Sequence, residues 1–246
     1  MRELRAGVTA AVPSPGLGFR PIRTWPSGEL LAFWDEVASL GGLQRGERLV
    51  AKAGGPTGDA SVGERNRWLV ALLADANGPT VEAVVNCPSC QTLLDIEIDL
   101  PLHKVGQTPP SSGQVSQEPF RLPQMTDLHA LVGLADAAAA RRHLAGRCLG
   151  LDEASLAPEL VDALEAAVID LDPMVSPQTE VQCGVCNHAW RAPLDLVRFV
   201  WEQVDHAARS LLVDVHDLAL AYGWGLEQSV AIGPRARRTL LELAAR

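Results

Sequence analysis

Aromatic residues are scarce in this chain, with four Phe, six Trp and one Tyr among 246 residues. Stacking platforms for single-stranded nucleic acid are therefore thinly supplied. Lysine is nearly missing, at Lys52 and Lys104 only, and the formal charge of −9 runs against binding phosphate backbones, which draw their affinity from clustered cations. No apolar run approaches the ~20 residues that span a bilayer. The stretch Ala6-Gly7-Val8-Thr9-Ala10-Ala11-Val12 is too short for a secretory signal, and Pro13 and Pro15 break it. A cytoplasmic location is the expectation. Catalytic signatures are missing as well: there is no phosphate-cradling glycine loop, no G-x-S-x-G elbow, no H-E-x-x-H and no assignable nucleophile with its base. The expectation is a protein that is not an enzyme.

Cysteine is also rare, and the five present are not scattered. Cys87-Pro88-Ser89-Cys90 and Cys183-Gly184-Val185-Cys186 are two Cys-x-x-Cys pairs, and only Cys148 stands apart. A two-residue spacer lets one turn of backbone present two thiolates to the same ion, so each pair supplies half of a tetrahedral four-thiolate zinc site. Closing the intervening segment costs about 4 kcal/mol plus a constant. Structural zinc returns roughly 10–16 kcal/mol, so the ion is able to hold the halves together. The competing assignments are disulfides or a thioredoxin-like redox pair, and the latter needs a helix directly behind the motif to lower the thiol pKa. Neither pair has one. Val81-Glu82-Ala83-Val84-Val85 precedes the first and Leu93-Leu94-Asp95-Ile96-Glu97-Ile98 follows it; Thr179-Glu180-Val181-Gln182 and His188-Ala189-Trp190-Arg191 flank the second. These are strand formers with partial alternation, which predicts two hairpins with a knuckle at each turn. The expected metal ligands are Cys87, Cys90, Cys183 and Cys186, with zinc as a structural cofactor in a closed site that has no open coordination position. His188 is read as a surface or hydrogen-bonding residue, and Cys148 as a small buried hydrophobe.

The hydrophobic content of 47% is ample for a packed core. The expected fold class is α+β: a four-cysteine zinc ribbon of two β-hairpins, a helical insert between them, and helical N- and C-terminal regions. Residues 1–24, rich in Pro, Gly and Arg, read as an extended arm. A helical region is expected over 25–78, the first ribbon hairpin and a linker over 79–120, the helical insert over 121–174, the second hairpin over 175–194, and a helical C-terminal region over 195–246. Residues 102–118 are dominated by Pro, Ser, Gln and Gly and read as a flexible connection or wide hairpin loop. Asp136 and Gly150 bracket one helix of the insert, and Pro158 and Asp172-Pro173 another. The helical period beginning at Leu196 runs so far that a break near Ala207, or a projecting helix, is expected. Residues 149–190 contain no Lys or Arg but eight acids, an acidic face that is either solvated or met by a basic partner. Asp205, His206, Asp214, His216 and Asp217 scatter around their helix and read as solvated or partner-facing rather than as a second metal site.

Several segments together resemble a known family. They are Glu64-Arg65-Asn66-Arg67-Trp68-Leu69-Val70 running on to Gly78-Pro79-Thr80-Val81-Glu82-Ala83, Cys87 to Cys90, Phe120-Arg121-Leu122-Pro123 with Asp127-Leu128, Cys183 to Trp190, and Val215-His216-Asp217-Leu218-Ala219-Leu220-Ala221-Tyr222-Gly223-Trp224. Their order is similar to that of the zinc-ribbon baseplate hub assembly proteins related to those of T-even phages, found with contractile tails and injection systems. The chain departs from that pattern at Gln91, where such knuckles usually have glycine, and at Gly225-Leu226. The resemblance implies an assembly chaperone or structural component, with hub, spike or tube subunits of a contractile, phage-tail-like particle as partners and neither nucleic acid nor membrane among them. The alternatives are a zinc-ribbon regulator that binds nucleic acid or transcription machinery, and a hydrolase or redox enzyme that uses the cysteines.

Overall fold

In the computed structural model, which describes residues 14–245, Pro26 sits at φ −55° and ψ 143° and launches the first helix, α1 (Ser27–Val37). A second helix, α2 (Gly42–Lys52), leads to α3 (Val62–Asn77), whose N-terminus is capped by the Ser61 hydroxyl accepting from the Glu64 N–H at 3.1 Å. Every residue from 66 to 74 in α3 is buried, so this helix is enclosed on all sides. Against it pack α2 and α7 (Leu196–Tyr222), with α1 packed in turn on α7, whose buried side includes a stripe of Leu196, Val200, Val204, Ala208 and Leu211 at helical spacing.

α7 is one unbroken helix of 27 residues, ended by Gly223 in the left-handed conformation at φ 68°. The expected break near Ala207 is not there, because Ala208 is wholly buried and a small side chain lets the stripe continue against the body. Two further helices, α8 (Leu226–Ala231) and α9 (Pro234–Ala244), fold back onto its second half. Arg237 of α9 bonds Asp214 of α7 at 3.0 Å and the Ser27 hydroxyl at 3.2 Å. Asp205 likewise accepts from Trp34 Nε1 at 2.8 Å and from Arg209 at 2.7 Å. Two of the acids expected to face solvent or a partner thus clasp α7 to α9 and α1.

Three antiparallel hairpins complete the fold, and each is its own two-stranded sheet. The first joins β1 (Thr80–Asn86) to β2 (Leu93–Asp99), with Val81 opposite Ile98 and Ala83 opposite Ile96 on the inner face. The third joins β5 (Gln178–Gln182) to β6 (Ala189–Pro193). Between them lies a hairpin that the composition of 102–118 conceals, β3 (Ser112–Val115) with β4 (Glu118–Arg121). Its two-residue turn places Ser116 at φ 49° and Gln117 at φ 73°. Tight hairpin turns require this geometry, but Asn-Gly usually signals it, and Ser-Gln does not.

The insert also contains α4 (Met125–Ala130), α5 (Ala137–Leu149) and α6 (Pro158–Leu171), with Asp136 capping α5 and Gly150 ending it at φ 69°. Its apolar side chains, among them Phe120, Leu122, Cys148, Leu149, Leu164 and Val168, form a second core distinct from the one around α3. A buried polar joint ties the two. Arg67 of α3 donates to both carboxylate oxygens of Asp172 at 3.1 and 2.5 Å, and Asn66 Nδ2 donates to the Met174 carbonyl at 2.7 Å. Gly63 is required here, since a Cβ at that position would collide with the Asp172 carboxylate.

Of the arm expected over 1–24, residues 1–13 lie outside the described residues. The remainder packs on the body: Phe19 meets the edge of Trp68 at 5.9 Å between ring centres, and Ile22 is buried. Five of the eight acids of the acidic face have a basic partner within the chain. Asp172 pairs with Arg67, Glu153 with His143, Glu180 with Arg191, and both Asp162 and Glu165 with Arg141. No helix among the described residues is long and apolar enough to cross a membrane.

Candidate metal centre

The outer ends of the first and third hairpins converge, and the convergence brings Cys87, Cys90, Cys183 and Cys186 together so that all four Sγ atoms lie within 4.8 Å of one another. The two knuckles have the same backbone. Cys87 N–H donates to the Thr92 carbonyl at 3.0 Å and Cys183 N–H to the His188 carbonyl at 2.9 Å. Gln91 N–H donates to the Cys87 carbonyl and Asn187 N–H to the Cys183 carbonyl, each at 2.9 Å. Both turns close through a left-handed residue, Gln91 at φ 60° and Asn187 at φ 59°. Asparagine tolerates that conformation through its short polar side chain, whereas glutamine carries the usual Cβ penalty of ~1–2 kcal/mol. Gln91 therefore performs glycine's conformational role at an energetic disadvantage.

The nearest sulfurs belong to opposite knuckles: Cys87 lies 3.6 Å from Cys186, and Cys90 lies 3.6 Å from Cys183. A regular tetrahedron with ~2.3 Å metal–sulfur bonds has sulfur–sulfur edges of about 3.8 Å. A disulfide needs ~2.05 Å, and the four thiols are free. The donor set thus fits a four-coordinate soft ion, and these four cysteines can hold a metal.

The electrostatics of the bare sulfurs favour the same conclusion. The Thr92 hydroxyl, 3.3 Å from Sγ, and the Thr92 backbone pull the Cys90 thiol down to about 6. Backbone N–H groups of Cys186 and Val185 lower Cys183. The His188 backbone draws Cys186 down, but the desolvation of its sulfur within the cluster and the neighbouring sulfurs outweigh it and push that thiol up to about 11. Negative charge on some sulfurs therefore opposes ionisation of another, a conflict that a central dication removes by stabilising every thiolate at once.

Cys87 and Cys183 are fully buried, while Cys90 and Cys186 are exposed, so one ligand of each knuckle faces inward and one faces water. His188 is exposed and stacks on Trp190 at 5.9 Å between ring centres; it is not among the clustered ligands. Cys148 lies apart in the second core, 4% exposed, and burial pushes its thiol up to about 11, as befits an inert hydrophobe. Among the described residues no other group of His, Cys, Asp or Glu converges in this way, the acids and histidines of α7 included. A polar cluster that the sequence does not reveal surrounds Asp127, a fully buried carboxylate that takes Arg121 at 2.6 and 2.8 Å and Arg147 at 2.7 Å. Arg121, Asp127 and Arg147 lie on three elements, so no local pattern marks them. Searches of protein-family models, of curated proteins and of solved structures find no match to this chain.

Proposed function

We propose that the chain is a non-enzymatic assembly factor or structural component of the baseplate hub of a contractile, phage-tail-like injection system, built on a zinc ribbon with a structural zinc ion. The observation that carries the reading is the convergence of four thiols from segments almost a hundred residues apart. Cys87, Cys90, Cys183 and Cys186 would hold the ion, which supplies cross-linking energy and, with four protein ligands, no open position for a substrate. The order of the knuckles, the Phe120-Arg121-Leu122-Pro123 segment and the closing Ala221-Tyr222-Gly223-Trp224 segment supports the baseplate assignment through the family resemblance. The net charge of −9 weighs against a nucleic-acid regulator.

Elemental analysis of purified protein is expected to give one zinc per chain. Co-expression with the hub, spike and tube subunits of a contractile particle, followed by affinity capture, is expected to recover at least one of them in stoichiometric amount. Recovery of none, from protein that contains its zinc, would overturn the assembly role while leaving the metal centre intact.

A further inference from the structure

A cavity of about 350 Å³ opens in the insert between α5, α6 and the start of α3. Its walls are apolar, formed by Leu128, Leu144, Val161, Leu164, Val168 and Ile169. Ile169 is 36% exposed, so the cavity has a mouth. At ~30 Å³ per heavy atom, the share of one water molecule in the liquid, it has room for about twelve heavy atoms.

Four side chains break the apolar pattern: Arg65, Arg141, Glu165 and Ser176. Of these, Arg65 is half-buried. Its Nε and Nη2 donate to Asn66 Oδ1 at 3.1 and 2.9 Å, a neutral acceptor that brings no balancing charge. The two acids whose fields reach it are engaged elsewhere: Glu47 pairs with His129 at 2.8 Å, and Asp195 caps α7 through the Arg198 N–H at 3.0 Å. Burial holds the Arg65 guanidinium below the ordinary arginine range, and Glu47 and Asp195 offset this only in part. The other arginine of the cavity, Arg141, is already shared by Asp162 and Glu165. Val62, the first residue of α3, lines the cavity too, which sets the positive end of that helix beside Arg65.

A largely apolar pocket in which Arg141 is already paired and Arg65 bonds no carboxylate is complementary to a ligand with an apolar body and one anionic end. A planar carboxylate matches the guanidinium fork best, through charge-assisted hydrogen bonds that strengthen away from water. We propose that this cavity binds an amphiphilic carboxylate of about twelve heavy atoms, its carbon chain between α5 and α6 and its carboxylate on Arg65. The site is separate from the four cysteines and does not depend on the assembly role.

The test uses the full, metal-loaded chain and sodium decanoate below its micellar concentration, followed by methyl NMR. Saturable one-to-one binding is expected, with shifts confined to the methyl groups of Leu128, Leu144, Val161, Leu164, Val168 and Ile169. Decanol, which keeps the chain and loses the charge, is expected to bind at least tenfold more weakly, and decyltrimethylammonium not at all. Arg65→Gln is expected to weaken decanoate at least tenfold and leave decanol unchanged. Should that variant fail to fold, the three-ligand comparison on the wild-type protein decides by itself. N-acetyl-Leu, which equals decanoate in heavy atoms and ends as a peptide does in a free carboxylate, tested against its C-terminal amide, separates the two sources of such a group. Tighter binding of its free-acid form than of decanoate assigns the ligand to a chain terminus, and the reverse assigns it to a free aliphatic acid. Absence of methyl shifts with every carboxylate, or equal affinity for decanoate and decanol, overturns the proposal.

Discussion

Leu69, Leu72 and Leu73 of α3 are fully buried, while Val84 and Leu93 near the outer end of the first hairpin are 64% and 67% exposed. On the inner face of that hairpin the aliphatic side chains go from buried at Val81 and Ile98 to half-buried at Val85 and Leu94, and beyond them only the sulfur of Cys87 is enclosed. The body coheres because each buried aliphatic side chain is worth ~1.5–3 kcal/mol. The tips have little to bury, and an isolated two-stranded hairpin is marginal in water. Four convergent thiols stand where the apolar core runs out. The contrast teaches where an ion held by the four cysteines would act: it would cross-link two distant segments that meet without an apolar core between them.

The sharpest way to break that contrast is to remove the metal. Chelation, or Cys183→Ser, is expected to forfeit a large part of the ~10–16 kcal/mol that a structural zinc supplies. Amide exchange at Cys87, Gln91, Cys183 and Asn187 should then rise by orders of magnitude, while the amides of residues 66–74 in α3 stay protected. Equal protection at the knuckles with and without the ion would show that the tips hold themselves.

Acid probes a second polar contact that lies outside the main core. Burial alone would raise the Asp127 pKa, but bonds from Arg121, the Gln124 N–H and Arg147 outweigh it and hold the carboxylate well below its ordinary range. A depressed folded pKa gives stability that is complete above the unfolded value of ~3.9 and is lost as pH falls below it toward the folded value. Asp127→Asn is expected to cost about 2–3 kcal/mol at pH 7, less than the ~3–5 for a fully buried pair, because Arg121 and Arg147 are each more than a third exposed. The stability difference between mutant and wild type, measured by urea unfolding, should shrink between pH 4 and pH 2. A difference that stays constant across that range would remove Asp127 from the account.

The smallest effect tests the symmetry of the two knuckles. Gln91→Gly is expected to stabilise the metal-bound protein by up to ~1 kcal/mol, since it relieves a left-handed Cβ and gives back part of the gain as chain entropy. Asn187→Ala is expected to destabilise it by a similar amount. Thermal unfolding of the two variants checks both signs, and a loss of stability in Gln91→Gly would mean that the glutamine side chain, whose Nε2 donates to the Pro88 carbonyl at 3.3 Å, contributes more than its backbone strain removes.

Much of this was legible in the residues. The convergence of the four thiols follows from their spacing, because a two-residue spacer suits a shared ion wherever the partner pair lies. The ends of α5, α6 and α7 follow from Asp136, Pro158, Gly150 and Gly223, since caps act locally. The β3–β4 hairpin was concealed because Ser116 and Gln117 take positive φ without the residues that announce it. The partners of the acidic face were hidden for a different reason: Arg67, Arg141, His143 and Arg191 reach five of its acids from other elements.

The sequence by itself determined the thiols, the helix boundaries and an overall α+β build, all of which depend on interactions within a few residues or on a ligand geometry that spacing encodes. Only the tertiary structure decided that α7 runs unbroken against α3, that Asp172 closes on Arg67 across 105 residues, and that Arg65 faces an apolar cavity without a carboxylate partner. Those outcomes rest on which surfaces exclude water from one another, and no local pattern carries that information.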